Sequence, residues 1–348
     1  MTNGAITGWD IGGAHLKMAV INPAGHVVSV KQYPTPLWQG LDTLHTSLRQ
    51  ALNTSPRETQ RHAVTTTAEL ADIFQDRKQG MQALTDCLLR VLDKDRIHFY
   101  SGGADWIQPE HAASHYQRIA SANWHATASY AASIIHDGIL LDIGSTTTDI
   151  TGFRDGHVCS RGYTDYERLA SSELVYSGIV RTPVIAVTHA VKLADHMHSL
   201  VAEVFATMAD VYRLLGQLDE EDDMLPTPDG AGKGMLDSAR RLARMTGRDI
   251  TGEESITEWQ SVAEYIADQQ KDRISQALEK AFTRMNSSGS LTIVGAGAGA
   301  FLAESVASIH GLSYVNFADL LDTTTAVRKV ATRSAPAVAV ALLARQMA

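Results

Sequence analysis

Two cysteines in 348 residues, Cys87 and Cys159, are too few for a disulfide framework, and nothing around them has the spacing of a zinc site. A basic excess is missing as well. The net charge of -9 excludes nonspecific attraction to nucleic acid or to an anionic membrane, so a polyanionic ligand would have to be gripped locally. No apolar run approaches the ~20 residues of a membrane span. The N-terminus enters a strand-like segment without a basic leader followed by a long apolar stretch. These absences predict a cytoplasmic protein. No low-complexity linker divides the chain. The composition, 44% apolar and 20% charged, is that of a globular protein, and the length exceeds what one core usually organises. Two domains sharing a broad cleft are expected.

The chain uses one supersecondary plan twice. "TGWDIGGAHLKMAV" (7–20) and "GILLDIGSTTTDI" (138–150) each set an aspartate and a glycine loop between two apolar runs. Strands are expected over 4–10, 16–21 and 25–36, and again from 138, with a hairpin turn at Asp155-Gly156. Helices are expected over 40–53, 80–92, 121–135, 197–215, 235–247 and 256–286, and at the apolar C-terminus. "SLTIVGAGAGAFLAE" (290–304) reads as strand, glycine loop and helix.

Glycines let backbone N–H groups converge on an anion where side chains would intervene. Gly12, Gly13, Ala14 and Gly144 supply such a surface, Ser145, Thr146 and Thr147 add hydroxyls, and Lys17 adds a compact positive charge. An aspartate ending the preceding strand would repel a bare phosphate, so Asp10 and Asp142 are better read as ligands of a divalent cation bound to it. Magnesium fits, since it takes a few carboxylates plus phosphate oxygens and water. Asp149 is a further carboxylate for base or orienting work. One such loop alone is usually structural; recurrence in the same setting reverses that.

Gly295, Gly297 and Gly299 resemble a nucleotide-type loop at a helix N-terminus, with Asp319 near the spacing of a ribose-binding acid. "GAGKG" (230–234) lacks the Walker spacing and reads as a mobile loop, with Lys233 a weak candidate for substrate contact. His189, His196 and His198 lack accompanying ligands and are favoured as surface or packing residues. "DEEDD" (219–223) is expected to be a solvated loop, and no Ser-His-Asp signal emerges.

"GWDIGGAHLK", "LLDIGSTTTDI" and "IVGAGAGAFLAE" resemble the two phosphate loops and the adenosine-type loop of the acetate kinase, sugar kinase, heat-shock ATPase and actin superfamily. More narrowly, "VTTTAELADIF", "SANWHATA", "YSGIVRTPV", "AEVFATMADVYRLLG" and "RLARMTGRD" resemble the hydantoinase/oxoprolinase-related proteins of tetrahydromethanopterin-linked one-carbon transfer.

The resemblance implies an α/β fold of two actin-like (ribonuclease H-like) domains around a central cleft. These would span 1–135 and 136–348, with a helical insert over about 190–286 and a C-terminal helix returning to the first domain. It further implies methanofuran or methylofuran cofactor synthesis: an aminomethylfuran-methyl diphosphate coupled to the phenol oxygen of tyramine or γ-glutamyltyramine, with diphosphate released. Asp10, Asp142 and Asp149 would be catalytic, with Asp10 and Asp142 on magnesium. Glu69, Arg161 and Arg181 are weaker candidates for substrate contact, beside Lys233. ATP could bind but is not required. A homodimer is possible; nucleic acid and membrane partners are not expected. The alternatives are an ATP-dependent small-molecule kinase or hydrolase, and a non-catalytic nucleotide-binding protein.

Overall fold

The computed structural model describes residues 4–55, 59–103, 105–193, 195–250, 256–285 and 291–347. In the first part of the chain, β1 (Ala5–Ile11), β2 (His15–Ile21) and β3 (Val27–Pro34) form an antiparallel meander. After α1 (Leu41–Leu52), β4 (Thr59–Thr66) returns parallel to β1. There follow α2 (Arg77–Leu89), β5 (Ile97–Tyr100), β6 (Trp106–Ile107), the one-turn helices α3 (Pro109–Ala112) and α4 (Tyr116–Ile119), and α5 (Asn123–Ile135). The sheet order is β3-β2-β1-β4-β5-β6.

The second part opens with β7 (Gly138–Ile143), β8 (Thr148–Arg154) and β9 (His157–Val158), then α6 (Asp165–Ser171), β10 (Leu174–Val175) and α7 (Val184–Val187). The hairpin β11 (Ala190–Leu193) and β12 (His196–Ser199) leads to α8 (Met208–Leu214), α9 (Met235–Met245) and the 30-residue α10 (Ile256–Met285). β13 (Thr292–Ala296), α11 (Ala300–Ile309), β14 (Ser313–Asn316), α12 (Thr325–Arg333) and α13 (Ala335–Ala344) close the chain. The order β10-β8-β7-β13-β14 repeats β3-β2-β1-β4-β5 of the first sheet, with the same antiparallel meander followed by parallel strands. This is the expected pair of actin-like α/β domains.

β7 is buried along its whole length and β1 is buried after its first residue, because helices cover both faces of a central strand. Each apolar run carries its aspartate to the C-terminal rim, where a parallel α/β sheet places ligands. α10 buries Trp259, Val262, Ala263, Ile266, Ile274 and Leu278 at helical spacing against the second sheet. α13 is apolar on every side and lies against β1, β2, β4 and α5. The approach is close: a Cβ on Gly8 would stand 2.0 Å from the Ala337 carbonyl oxygen. Alanines of α5 and α13 join side chains from both sheets in one core, which makes this layer the seam of the molecule.

The hairpin at Asp155-Gly156 forms with φ 50° and 77°, the left-handed pair that Asp-Gly supplies. The helix expected over 197–215 is corrected. Residues 196–199 pair with β11, and α8 begins only at Met208, where Thr207 and Asp210 form a capping box. His189, His196 and His198 therefore lie in and beside an exposed hairpin, not on a helix face. α10 meets its expected range as far as Met285; residue 286 lies outside the described residues.

The acidic loop 219–223 is not merely solvated. Arg333 pairs with Asp219, with Glu221 at 2.9 Å and with Asp222 at 3.2 Å, while Lys329 also pairs with Asp219. Arg213 and Lys233 hold Asp223. Four of the five charges that a linear reading sends to water, all but that of the exposed Glu220, are met from α8, the 230–234 loop and α12.

Candidate active site

The two glycine loops are superimposable in their hydrogen bonding. Gly12 N donates to the His15 carbonyl at 2.9 Å, and Gly144 N donates to the Thr147 carbonyl at 2.8 Å. In β1–β2 the register sets Asp10 opposite Lys17; in β7–β8 it sets Asp142 opposite Asp149. The same backbone device thus presents one carboxylate and one ammonium on the first side, and two carboxylates on the second.

Both loops line one cleft of 430 Å³. Asp10, Gly12, Gly13, Ala14, Lys17, Asp142, Gly144, Ser145, Thr146, Thr147 and Asp149 all reach it. Arg181 also lines it, and its guanidinium sits 5.2 Å from the centroid of the Trp38 ring. The other candidates fall elsewhere. Arg161 is exposed and outside the lining, with its backbone N–H bonded to Glu173. Lys233 is tied to Asp223, so its loop is anchored. Glu69 is buried at 1% exposure, accepting from Thr66 Oγ1 at 3.1 Å and from the backbone and hydroxyl of Ser121. Its burial pushes the carboxyl up to about 7. Glu69 joins the end of β4 to Ser121, whose hydroxyl lies 3.2 Å from both Glu69 and Asp165 and shares its one proton between them, and Arg77 pairs with Asp165 at 2.8 Å. This chain of contacts ties the first domain to α6 of the second.

The glycines of the third loop meet close packing. Gly297 N donates to Thr332 O and Gly299 N to Ile143 O. A Cβ on Gly297, at φ 82°, would lie 2.2 Å from Ile143 O and 2.5 Å from an Asp142 carboxylate oxygen. One on Gly295 would meet the Tyr314 hydroxyl at 2.4 Å, and one on Gly299 the Ile143 side chain at 2.5 Å. Only Gly297 of the three reaches the cleft.

Asp142 is raised to about 7, first by burial and then by the neighbouring Asp149, with Asp10 adding to the effect. Asp10 is also raised by burial, against the opposing pull of Lys17 at 3.7 Å. Asp149 is raised by burial although Arg168 Nη1 donates to it at 2.7 Å. Three carboxylates crowd where positive charge is short, an arrangement that a divalent cation relieves. Among the described residues no three His, Cys, Asp or Glu side chains could together hold a metal. Asp10 and Asp142 could therefore supply only part of a coordination sphere, which suits magnesium completed by phosphate oxygens and water. The Ser145 hydroxyl is buried without a hydrogen-bond partner, a donor left for a ligand.

Gly13 is informative because the fold does not require it. A Cβ there would meet nothing within 4 Å, and its φ is not positive. Gly13→Ala should leave Tm within about 2 °C of wild type, as expected for a surface-type change. On the reading of this loop as an anion surface, it should weaken diphosphate binding, measured by calorimetry with magnesium, about tenfold or more, because the methyl would occupy ligand space. Unchanged affinity would remove Gly13 from the anion surface.

Several residues here carry no local sequence signal. Arg168, 1% exposed, holds Asp149 and stacks 3.9 Å from the centroid of Trp124. Gly178 lies under the second loop: a Cβ there would be 2.4 Å from Thr146 N. His15 is 8% exposed with Nε2 buried and unpartnered, at the edge of the cleft.

The family model for hydantoinase/oxoprolinase matches residues 60–346. The chain belongs to the hydantoinase/oxoprolinase family. Within reach of that match are two curated archaeal relatives, each named (4-{4-[2-(gamma-L-glutamylamino)ethyl]phenoxymethyl}furan-2-yl)methanamine synthase. The Methanocaldococcus jannaschii protein is 33% identical over 245 residues, 70% of this chain and 72% of the relative. The Methanococcus vannielii protein is 36% identical over 121 residues, 34% of this chain and 54% of the relative. Among solved structures, a ROK family glucokinase from Streptomyces griseus aligns with TM-score 0.50 at 13% identity, covering 99% of this chain and all of that one. Acetone carboxylase aligns with TM-score 0.52 at 9% identity, covering 88% of this chain and 67% of that one. At such identities these two support the actin-like, sugar-kinase fold of this family member and nothing further.

Proposed function

We propose that the protein is a methanofuran-type cofactor synthase, coupling an aminomethylfuran-methyl diphosphate to the phenol oxygen of tyramine or γ-glutamyltyramine. What carries the reading is the convergence of two glycine loops and their carboxylates on one cleft, in a chain 33% identical to a protein named as that synthase. A cleft built for a nucleotide's phosphates suits a diphosphate leaving group, and no nucleotide need be consumed.

In this reading the Gly12 and Gly144 N–H groups close the two loops, the Gly13 backbone and the hydroxyls of Ser145 and Thr146 face the diphosphate oxygens, and Lys17 and Arg181 counter their charge. Asp10 and Asp142 would hold magnesium, which supplies neutralisation of the charge that builds on the leaving group. The phenol oxygen forms a bond to the exocyclic methylene of the furan as the bond from that carbon to diphosphate oxygen breaks. The bonding pair leaves with diphosphate, and the phenolic proton goes to a base. A phenol of pKa about 10 needs that help near neutrality. Asp149, engaged by Arg168, is better suited to hold the second loop's charge in place than to accept the proton.

The test is an incubation of purified protein with magnesium, the furan diphosphate and tyramine or γ-glutamyltyramine in the absence of ATP. Mass spectrometry should find equal amounts of coupled ether and diphosphate. No ether, together with ADP formed only when acceptor and ATP are both present, would sink the reading in favour of a kinase.

A further inference from the structure

Beside the cleft lies a second, half-open cavity of 370 Å³, lined by residues of 204–228 together with His15, Trp38, Ser145 and Arg181. Those last four line both, so the two spaces adjoin at the first and second loops. The second cavity differs in chemistry. Val180, Val204, Leu225 and Pro226 join Trp38 in an apolar wall, and Asp222, 6% exposed, is among the lining carboxylates.

Two observations say what the cavity takes. The first is charge. Asp222 is buried at the cavity wall, and its one ion-pair partner among the described residues, Arg333 at 3.2 Å, is shared with Asp219 and Glu221. An ammonium group would give it a partner of its own. The second is His15, more than nine-tenths buried and lining both cavities, whose Nε2 has no hydrogen-bond partner. A buried ring nitrogen left open is costly unless a ligand satisfies it.

We propose that this cavity is the acceptor site: it holds a phenol bearing an ammonium, the ring against Trp38 and Val180, the ammonium toward Asp222 and the hydroxyl toward His15. The hydroxyl donates to His15 Nε2, and that nitrogen takes the phenolic proton as the phenol oxygen bonds to the furfuryl carbon in the adjoining cleft. Burial first, then Lys17 and Arg181, hold its pKa down at about 4, so the imidazole is neutral and open to a donor, and it takes the proton only as the ether bond forms and the oxygen becomes strongly acidic. The assignment rests on the coupling reading for its chemistry, but the binding it describes can be measured without turnover.

Calorimetry on the whole protein should show tyramine binding, with p-cresol, which lacks the ammonium, binding less tightly. Asp222→Asn should weaken tyramine at least tenfold and leave p-cresol within twofold. Val204→Trp, at a half-exposed position where extra bulk leaves the core alone, should weaken both at least tenfold. Neither should change the binding of inorganic diphosphate with magnesium. His15→Gln, which keeps a hydrogen-bonding side chain but not a base, should lower kcat for coupling at least tenfold at unchanged acceptor KM.

Tyramine affinity within twofold of wild type in both Asp222→Asn and Val204→Trp would overturn the cavity assignment, even if the ether forms. Full kcat in His15→Gln would overturn the proton transfer. Wild-type protein that binds tyramine in the expected pattern but makes no ether would instead overturn the coupling reading and leave the cavity as an aromatic-amine site.

Discussion

Asp142→Asn is expected to raise the Tm of the magnesium-free protein at pH 8 while lowering coupling by about a thousandfold or more. The two effects have one origin. Asp142 is buried beside Asp149 and Asp10, and its pKa stands near 7, well above the ordinary 3.8. A carboxyl whose pKa is raised on folding binds more protons in the native state. Its contribution to stability is therefore fully present below about pH 4 and is lost as pH rises through 7. Above that, native and unfolded chains are both ionised, and the folded protein carries a crowded charge that costs about a few kcal/mol. The amide removes that cost. The Tm gap between variant and wild type should be small at pH 4, widen between pH 4 and 7, and level off above. Saturating magnesium should close it by stabilising only the wild type. Asp10→Asn should lose activity similarly. A variant less stable than wild type at pH 8 without magnesium would mean that Asp142 is already compensated, and the cation site would lose its main physical support.

What the sequence made legible is what is local. "DIGGAHLK" and "DIGSTTTD" carry their strand, turn and charged rim within eight residues each, so the paired loops could be read before the sheets were known. The Asp-Gly hairpin and the long α10 are similarly self-contained. What failed involves distant partners. The 219–223 acids look solvated until Arg333 and Lys329, more than a hundred residues on, fold back to meet them. Arg77 and Asp165, 88 residues apart, give no local sign that they close the site's flank. The 197–215 segment was misread for a different reason: its first residues are apolar and polar at spacings that suit helix or strand, and the β11 pairing decides the matter. The glycines of "GAGAGA" look like a ligand loop because the same absence of a side chain serves both close packing and ligand approach. Their surroundings show the packing use at Gly297 and Gly299, pressed against Ile143, and open space at Gly13.

Arg168→Ala should cost about 3–5 kcal/mol of stability at pH 8, the largest loss expected of any single change at the site. Arg168 donates to Asp149 at 2.7 Å and to the Glu173 carbonyl at 3.0 Å, and it covers the Trp124 ring. Removing it strands Asp149, 8% exposed, beside Asp142. Most of the cost should come from the stranded charge and less from the lost stacking, and a double-mutant cycle in urea separates the two. If so, Arg168→Ala/Asp149→Asn recovers more than half the loss, and the single variant approaches wild-type stability as acid protonates Asp149. A double variant no more stable than the sum of the singles would assign the cost to packing on Trp124. Either way coupling should fall, but the cause differs. A stranded Asp149 raises Asp142 further and draws a divalent cation more strongly, so saturating magnesium should restore part of the lost stability; a collapsed Trp124 contact displaces the cleft wall, and magnesium should not restore it. Arg168 is thus the residue through which the stability of the second loop and the charge of the site are set together.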